Sequence, residues 1–160
     1  YIRFGLGGEK KIFVKNQKFK IGKGILINKQ ENLNLISTGS MTQDAVQVVN
    51  LFKKRYQINI GLLHLGTVKP LDKKTVINFI KKGKKIAILE EHYENGGLGS
   101  SVLETCIKNN IKIDDKIKIF GVPNKFQKCY GKHDIMKKYW GLDAKSLILK
   151  LKKFYEIKRK

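Results

Sequence analysis

The stretch Ile88-Leu89-Glu90-Glu91-His92-Tyr93-Glu94-Asn95-Gly96-Gly97-Leu98-Gly99-Ser100 decides how this chain is read. Lys85 to Leu89 is a short apolar run carrying Ile86 and Ile88, the pattern of a buried strand. Two carboxylates and a histidine follow, and then Gly96, Gly97 and Gly99. A helical period begins behind them, with Val102, Leu103, Cys106 and Ile107 on one face. A strand that stops at a carboxylate pair and turns through glycine into a helix is a half-unit of an open α/β sheet. Ligands and partners of such sheets collect at the carboxyl ends of the strands.

The glycines admit two readings. They can bring backbone N–H groups against a phosphate at a helix N-terminus. They can equally let the helix start tightly against the sheet with nothing bound. The spacing is not G-x-G-x-x-G, and the chain contains no G-x-x-x-x-G-K-[ST]. Glu90, Glu91 and Glu94 would also repel an anion, so the structural reading is preferred.

The same alternation extends in both directions. Gly24 to Ile27 and Leu33 to Ser37 read as two strands around the polar turn at 29–32, the first of them the odd strand at one edge. Ser40 with Gln43 makes a capping-box pattern, and Ala45, Val48, Val49 and Phe52 form one face of the helix behind it. Ile58 to Leu65 is aliphatic on both faces, as a central parallel strand requires. Pro70 closes that strand, and Asp72 is the natural N-cap of a helix bearing Val76, Phe79 and Ile80 and stopping at Gly83. Beyond the central motif, Lys116 to Val122 is a further strand. Asp134 can cap a short helix through Met136 and Tyr139. Asp143 can cap the last helix, whose face is Leu147, Ile148, Leu151, Phe154 and Tyr155. Strands alternating with helices predict a three-layer α/β/α fold around an open, mostly parallel sheet of about five strands.

Several of these stretches carry a family resemblance. Glu90-Glu91-His92 with Gly96-Gly97-Leu98-Gly99-Ser100 resembles the C-terminal domain of the transketolases, to which deoxyxylulose-phosphate synthase is related. Gly22-Lys23-Gly24, Ser37-Thr38-Gly39-Ser40-Met41, Val68-Lys69-Pro70-Leu71-Asp72, Phe120-Gly121-Val122-Pro123 with Phe126, and Gly141-Leu142-Asp143 extend the likeness over nearly the whole length. The wording is most similar to the short C-terminal chain of split bacterial transketolases. The resemblance implies that residues 1–19 end a preceding pyrimidine-binding domain and its linker, and that 20–160 form the C-terminal domain. It implies thiamine diphosphate and Mg²⁺ for the complete enzyme, with neither held by this chain. The implied partners are diphosphate- and pyrimidine-binding domains, on the same chain or a separate subunit, in a homodimer or heterotetramer. Glu90, Glu91, His92, Gly96, Gly97 and Gly99 are then an interface or structural motif rather than catalytic groups. Arg3 and Leu6 are substrate-proximal, Leu6 standing where these enzymes commonly carry a phosphate-binding arginine. That exchange predicts an unphosphorylated or modified sugar acceptor.

Composition narrows the remaining possibilities. A length of 160 residues suits one domain with a real core. No apolar run approaches a membrane span. A start at Tyr1 instead of Met leads to the expectation of further residues upstream. Two cysteines without C-x-x-C spacing suggest neither a disulfide framework nor a zinc site, which fits a reducing, cytoplasmic setting. Cys129 and His133 could share a helix face, but two ligands do not make a metal site. The net charge of +21 raises the alternative of a basic module for nucleic acid or an acidic partner. Arginine, the better phosphate fork, occurs only at Arg3, Arg55 and Arg159, and lysines are scattered through every element. A solvated coat without specific nucleic-acid binding is therefore expected. His64, at the end of an apolar strand, is expected to be a hydrogen-bonded structural histidine. His92 could be oriented and charged by a neighbouring carboxylate.

Overall fold

In the computed structural model, which describes residues 11–13 and 17–156, five strands form one sheet in the order β1-β3-β2-β4-β5. The strands are β1 (Ile25–Asn28), β2 (Leu33–Ser37), β3 (Gly61–His64), β4 (Lys85–Tyr93) and β5 (Ile117–Val122). The helices are α1 (Met41–Tyr56), α2 (Lys73–Lys82), α3 (Leu98–Lys108), α4 (His133–Trp140) and α5 (Ala144–Phe154). All neighbouring strands are parallel except β1, which runs antiparallel to β3 at the edge, as the sequence predicts.

Side-chain alternation along the strands divides the core in two. Leu33 and Leu35 of β2, with Ala87 and Leu89 of β4, meet Val48 and Phe52 of α1 and Leu147 and Leu151 of α5. Ile36 of β2, with Ile86 and Ile88 of β4, meets Val76 and Phe79 of α2 and Val102 and Cys106 of α3. This is the expected three-layer architecture. The central strand β2 is buried along its whole length because both faces are covered. Each large core side chain so removed from water contributes about 1.5–3 kcal/mol.

Three local expectations are corrected. Ser40 is helical at φ −60° and makes no cap hydrogen bond, so the Ser40/Gln43 capping box does not form. Lys132, not Asp134, is the N-cap residue of α4, and Asp134 falls in the first turn, where a negative charge still favours the helix dipole. Ile107 is 68% exposed, whereas Thr105 is buried. The inner face of α3 is set by Leu98, Val102 and Cys106, and Ile107 is rotated past it.

Two polar side chains pin the layers together. Asn34 is fully buried in β2, accepting the Glu31 N–H at 2.8 Å and donating to the Phe79 carbonyl at the end of α2. Gly61 and Gly83 make room for it, since a Cβ would lie 2.0 Å from its oxygen and 2.5 Å from its nitrogen respectively. Asp72 caps α2 by accepting the Thr75 N–H and hydroxyl, and it also accepts the Gly24 N–H at 3.0 Å. One carboxylate thus ties the entry to β1 onto the start of α2.

Burial pushes the Asp72 carboxyl upward, but the bonds from Gly24 and Thr75 and the nearby Lys23 charge more than offset it, leaving the group below its ordinary value. Its contribution is therefore present above the unfolded carboxyl pKa and lost as pH falls through the folded value. Asp72→Asn should cost about 1–2 kcal/mol near neutral pH. Denaturant titrations at several pH values should show that deficit closing toward pH 3.

Candidate functional site

The carboxyl ends of β2 and β4 lie side by side, and their following connections leave in opposite directions across the sheet. In open α/β sheets this switch point opens a crevice. Its two lips here are residues 38–40, before α1, and 94–97, before α3.

β4 does not stop at Leu89 but runs on to Tyr93, which changes what the carboxylate pair does. Because alternation continues, Glu90 and Glu91 reach opposite layers. Glu90 is only 1% exposed. It accepts the N–H of Leu98 at 2.6 Å and of Gly99 at 3.0 Å, filling the N-terminus of α3. Gly97, the N-cap residue, supplies no side-chain cap of its own. Glu90 is thus a cap delivered from a strand, and it occupies the place an external anion would take.

The glycines follow from this carboxylate. A Cβ on Gly97 would stand 1.9 Å from Glu90 Oε2. One on Gly99 would stand 2.4 Å from Ile119 and 3.0 Å from Glu90 Oε1. Gly121 of β5 passes as closely, its Cβ position lying 2.8 Å from the His92 carbonyl. There β4 carries extra residues against β5, between the Leu89–Phe120 and Tyr93–Val122 pairs. Gly96 has a different need, a left-handed φ of +80°, and its N–H donates to Ser100 Oγ at 2.8 Å.

Glu91 faces the other layer. It accepts from Ser40 Oγ across the crevice, and its second oxygen meets His133 Nε2 from α4. Beside it Lys137 of α4 donates to the buried Asp44 of α1 at 3.0 Å. Burial draws the Lys137 pKa down, but Asp44, joined by Asp134, more than compensates and leaves it raised. The histidine in direct hydrogen-bonding contact with a carboxylate is His133, while His92 acts on Glu90 through charge alone, without a hydrogen bond between them. His92 is exposed, and its Nδ1 lies 2.8 Å from the Tyr93 carbonyl. Nothing local in the sequence signals the Glu91–His133 pair, whose members are 42 positions apart.

His64 ends β3 with Nδ1 2.8 Å from Thr42 Oγ1, to which Ser37 also donates. Burial lowers its pKa, favouring the neutral ring, and Phe13 lies against it with centroids 5.1 Å apart. It is a hydrogen-bonded core histidine, as expected. Arg3 and Leu6 lie outside the described residues.

The site so assembled is an open α/β switch point whose crevice is spanned by its own side chains. The chain belongs to the transketolase C-terminal domain family, whose model matches residues 22–147. It is 31% identical over 147 residues to a 1-deoxy-D-xylulose-5-phosphate synthase of Clostridium perfringens strain SM101, covering 91% of this chain and 23% of the relative. A solved chain described as a split gene transketolase, inactive β4 tetramer, superposes with a TM-score of 0.81 at 21% identity, covering 95% of this chain and 48% of that one. A transketolase of Campylobacter jejuni superposes with a TM-score of 0.57 at 12% identity over 89% of this chain and 20% of its own. The chain therefore spans about a quarter of the synthase that it matches.

Members of this family are parts of enzymes that use thiamine diphosphate, and the described residues do not fit that group. Among the described residues no three His, Cys, Asp or Glu side chains converge as cation ligands. The backbone donors at α3 that could hold a diphosphate are taken by Glu90.

Burial raises the Glu90 carboxyl above its ordinary value, against the opposing bonds from Gly99 and Leu98. Its contribution is fully present below the unfolded carboxyl pKa and falls away as pH rises through the folded value. Glu90→Gln should remove that slope while costing about 1–2 kcal/mol from one mismatched N–H. Gly97→Ala should cost more than about 2 kcal/mol by overpacking. Most of that penalty should vanish in a Glu90→Ala background, a coupling that a double-mutant cycle in denaturant measures directly.

Proposed function

We propose that this chain is the non-catalytic C-terminal part of a thiamine-diphosphate-dependent enzyme that transfers two-carbon ketol units between sugars. The observation that carries the reading is Glu90, seated where an open α/β sheet would otherwise bind an anion. A carboxylate that satisfies the helix N-terminus internally converts a ligand site into a structural joint. The reaction, the cofactor and Mg²⁺ then belong to diphosphate- and pyrimidine-binding domains outside these residues. The inactive tetramer named for the split gene relative supports a chain that does no chemistry by itself.

In this reading residues 1–19 close the preceding pyrimidine-binding domain and lead into the C-terminal domain at 20–160. Glu91, His92 and the Gly96–Gly99 turn contribute to interdomain and dimer contacts, in a homodimer or a heterotetramer. Leu6, in place of a phosphate-binding arginine three positions after Arg3, favours an unphosphorylated or modified acceptor sugar. The enzyme works in the cytoplasm, in keeping with free Cys106 and Cys129 and with the lack, among the described residues, of a helix long and apolar enough to cross a membrane. The dispersed lysines serve as a solvated coat rather than a nucleic-acid site.

Isothermal calorimetry of the isolated chain with thiamine diphosphate and Mg²⁺ should show no saturable heat. The complete enzyme should bind the cofactor and turn over ketose. Micromolar binding by the isolated chain would place the cofactor here and overturn the reading.

A further inference from the structure

A cleft of about 670 Å³ lies where β5, an edge strand, meets α5. Phe120 and Phe154 give it an apolar wall, their rings edge to face with centroids 6.5 Å apart. Lys118 of β5 and Lys150 and Lys153 of α5 also line it, with Glu94 from just past β4.

Lys150 differs from the dispersed lysines in how its amine is held. Nζ donates to the carbonyl of Trp140, the last residue of α4, at 3.1 Å. It lies over Gly141, where a Cβ would stand 2.8 Å from it. Among the described residues, three lysine amines make hydrogen bonds, those of Lys85, Lys137 and Lys150. Lys85 meets Asp115 and Lys137 meets Asp44, carboxylates that fix the positive charge. Lys150 meets a neutral carbonyl instead. The charges facing it are Glu94, Asp143 before α5 and Lys118 on β5. Burial, joined by the Lys118 charge, outweighs the two carboxylates and leaves the amine below its ordinary value. Lys118 itself is kept in the cleft by the Phe120 ring, 5.8 Å from Nζ to the centroid. Lys150 is nevertheless exposed as a residue, so a reagent in the cleft reaches it.

We propose that Lys150 is a modification site, acylated on its amine by a small acyl phosphate that the cleft receives. The neutral amine attacks the acyl carbon with its lone pair. The bond from that carbon to the phosphate oxygen breaks, and phosphate leaves with the bonding electrons. The nitrogen gives one proton to water, so the products are an amide and inorganic phosphate. Lys118 and Lys153 offer the phosphate charged donors, and the Phe120–Phe154 wall accepts a short acyl chain. Lys85 and Asp115 cancel each other, and Lys118, Lys150 and Lys153 outnumber Glu94 and Glu156, leaving the cleft electropositive. The amide N–H still serves the Trp140 carbonyl, so acylation leaves the fold in place.

Incubating the chain with acetyl phosphate near neutral pH, and timing acetylation of each lysine by peptide mass spectrometry, reads the site directly. Lys150 should react at least about threefold faster than the median lysine, since lowering an amine multiplies its neutral fraction. Its rate should also rise at lower pH than theirs. Lys118→Gln removes the like charge and a phosphate donor and should abolish most of the lead. Glu94→Gln removes a charge that favours the ammonium and should enlarge it. Both positions are exposed, so circular dichroism should show both variants folded. A Lys150 rate no higher than the median overturns the proposal, as does a lead that neither variant alters. A lead with an uncharged N-hydroxysuccinimide ester but not with acetyl phosphate also overturns it, because the cleft then receives no acyl phosphate.

Discussion

A single carboxylate, withdrawn from water at the end of β4, sets the terms for the region around it. Burying Glu90 is costly unless its charge is met by directed donors, and the first turn of α3 supplies them. That bond ties α3 to β4, and it leaves no room for a Cβ at Gly97, which would overlap Glu90, while one at Gly99 would overlap Ile119. Glycine at these positions is thus a response to a neighbour's bulk. The need for a left-handed backbone is confined to Gly96 within this turn.

Strand geometry explains why two adjacent glutamates have unrelated roles. One faces the layer of α2 and α3 and closes a helix end. The next faces the layer of α1 and α5 and bridges Ser40 to His133. Between them they remove both attractions of a switch-point crevice, its free backbone donors and its open mouth. The fold's usual ligand position has become a fastening, in keeping with the non-catalytic role proposed above.

Most of the fold was legible in the sequence because it rests on local periodicity and on residues with few alternatives. Val48, Val49 and Phe52 announce a helix face, and the aliphatic run through Leu63 announces a strand covered on both sides. Asp72 and Asp143 cap as their positions imply, since each lies within reach of the N–H groups two or three residues on. Ser40 looked equally suited, but the crevice offered it a carboxylate from β4, and the longer-range partner prevailed. The site was legible only in part. Glu90, Gly97 and Gly99 stand in one motif, yet nothing in the motif says which carboxylate turns to which layer until the strand is known to continue. His133 reaches Glu91, and Lys137 reaches Asp44, only through the tertiary fold, and α4 lacks the buried stripe by which a helix is normally placed.

The double duty of Asp72 carries a mechanical meaning. The chain enters this domain through Gly22, whose N–H bonds Thr67 Oγ1, and Gly24, whose N–H bonds Asp72. Tension arriving along the chain from the N-terminal side meets the Phe13 ring against His64 and then these two bonds, which pass it into the β3–α2 connection and the helix behind it. The antiparallel ladder of β1, an edge strand with a shifted register, lies downstream of that anchor and is spared the load. A pull from that side would therefore load the β3–α2 connection before the edge of the five-stranded sheet.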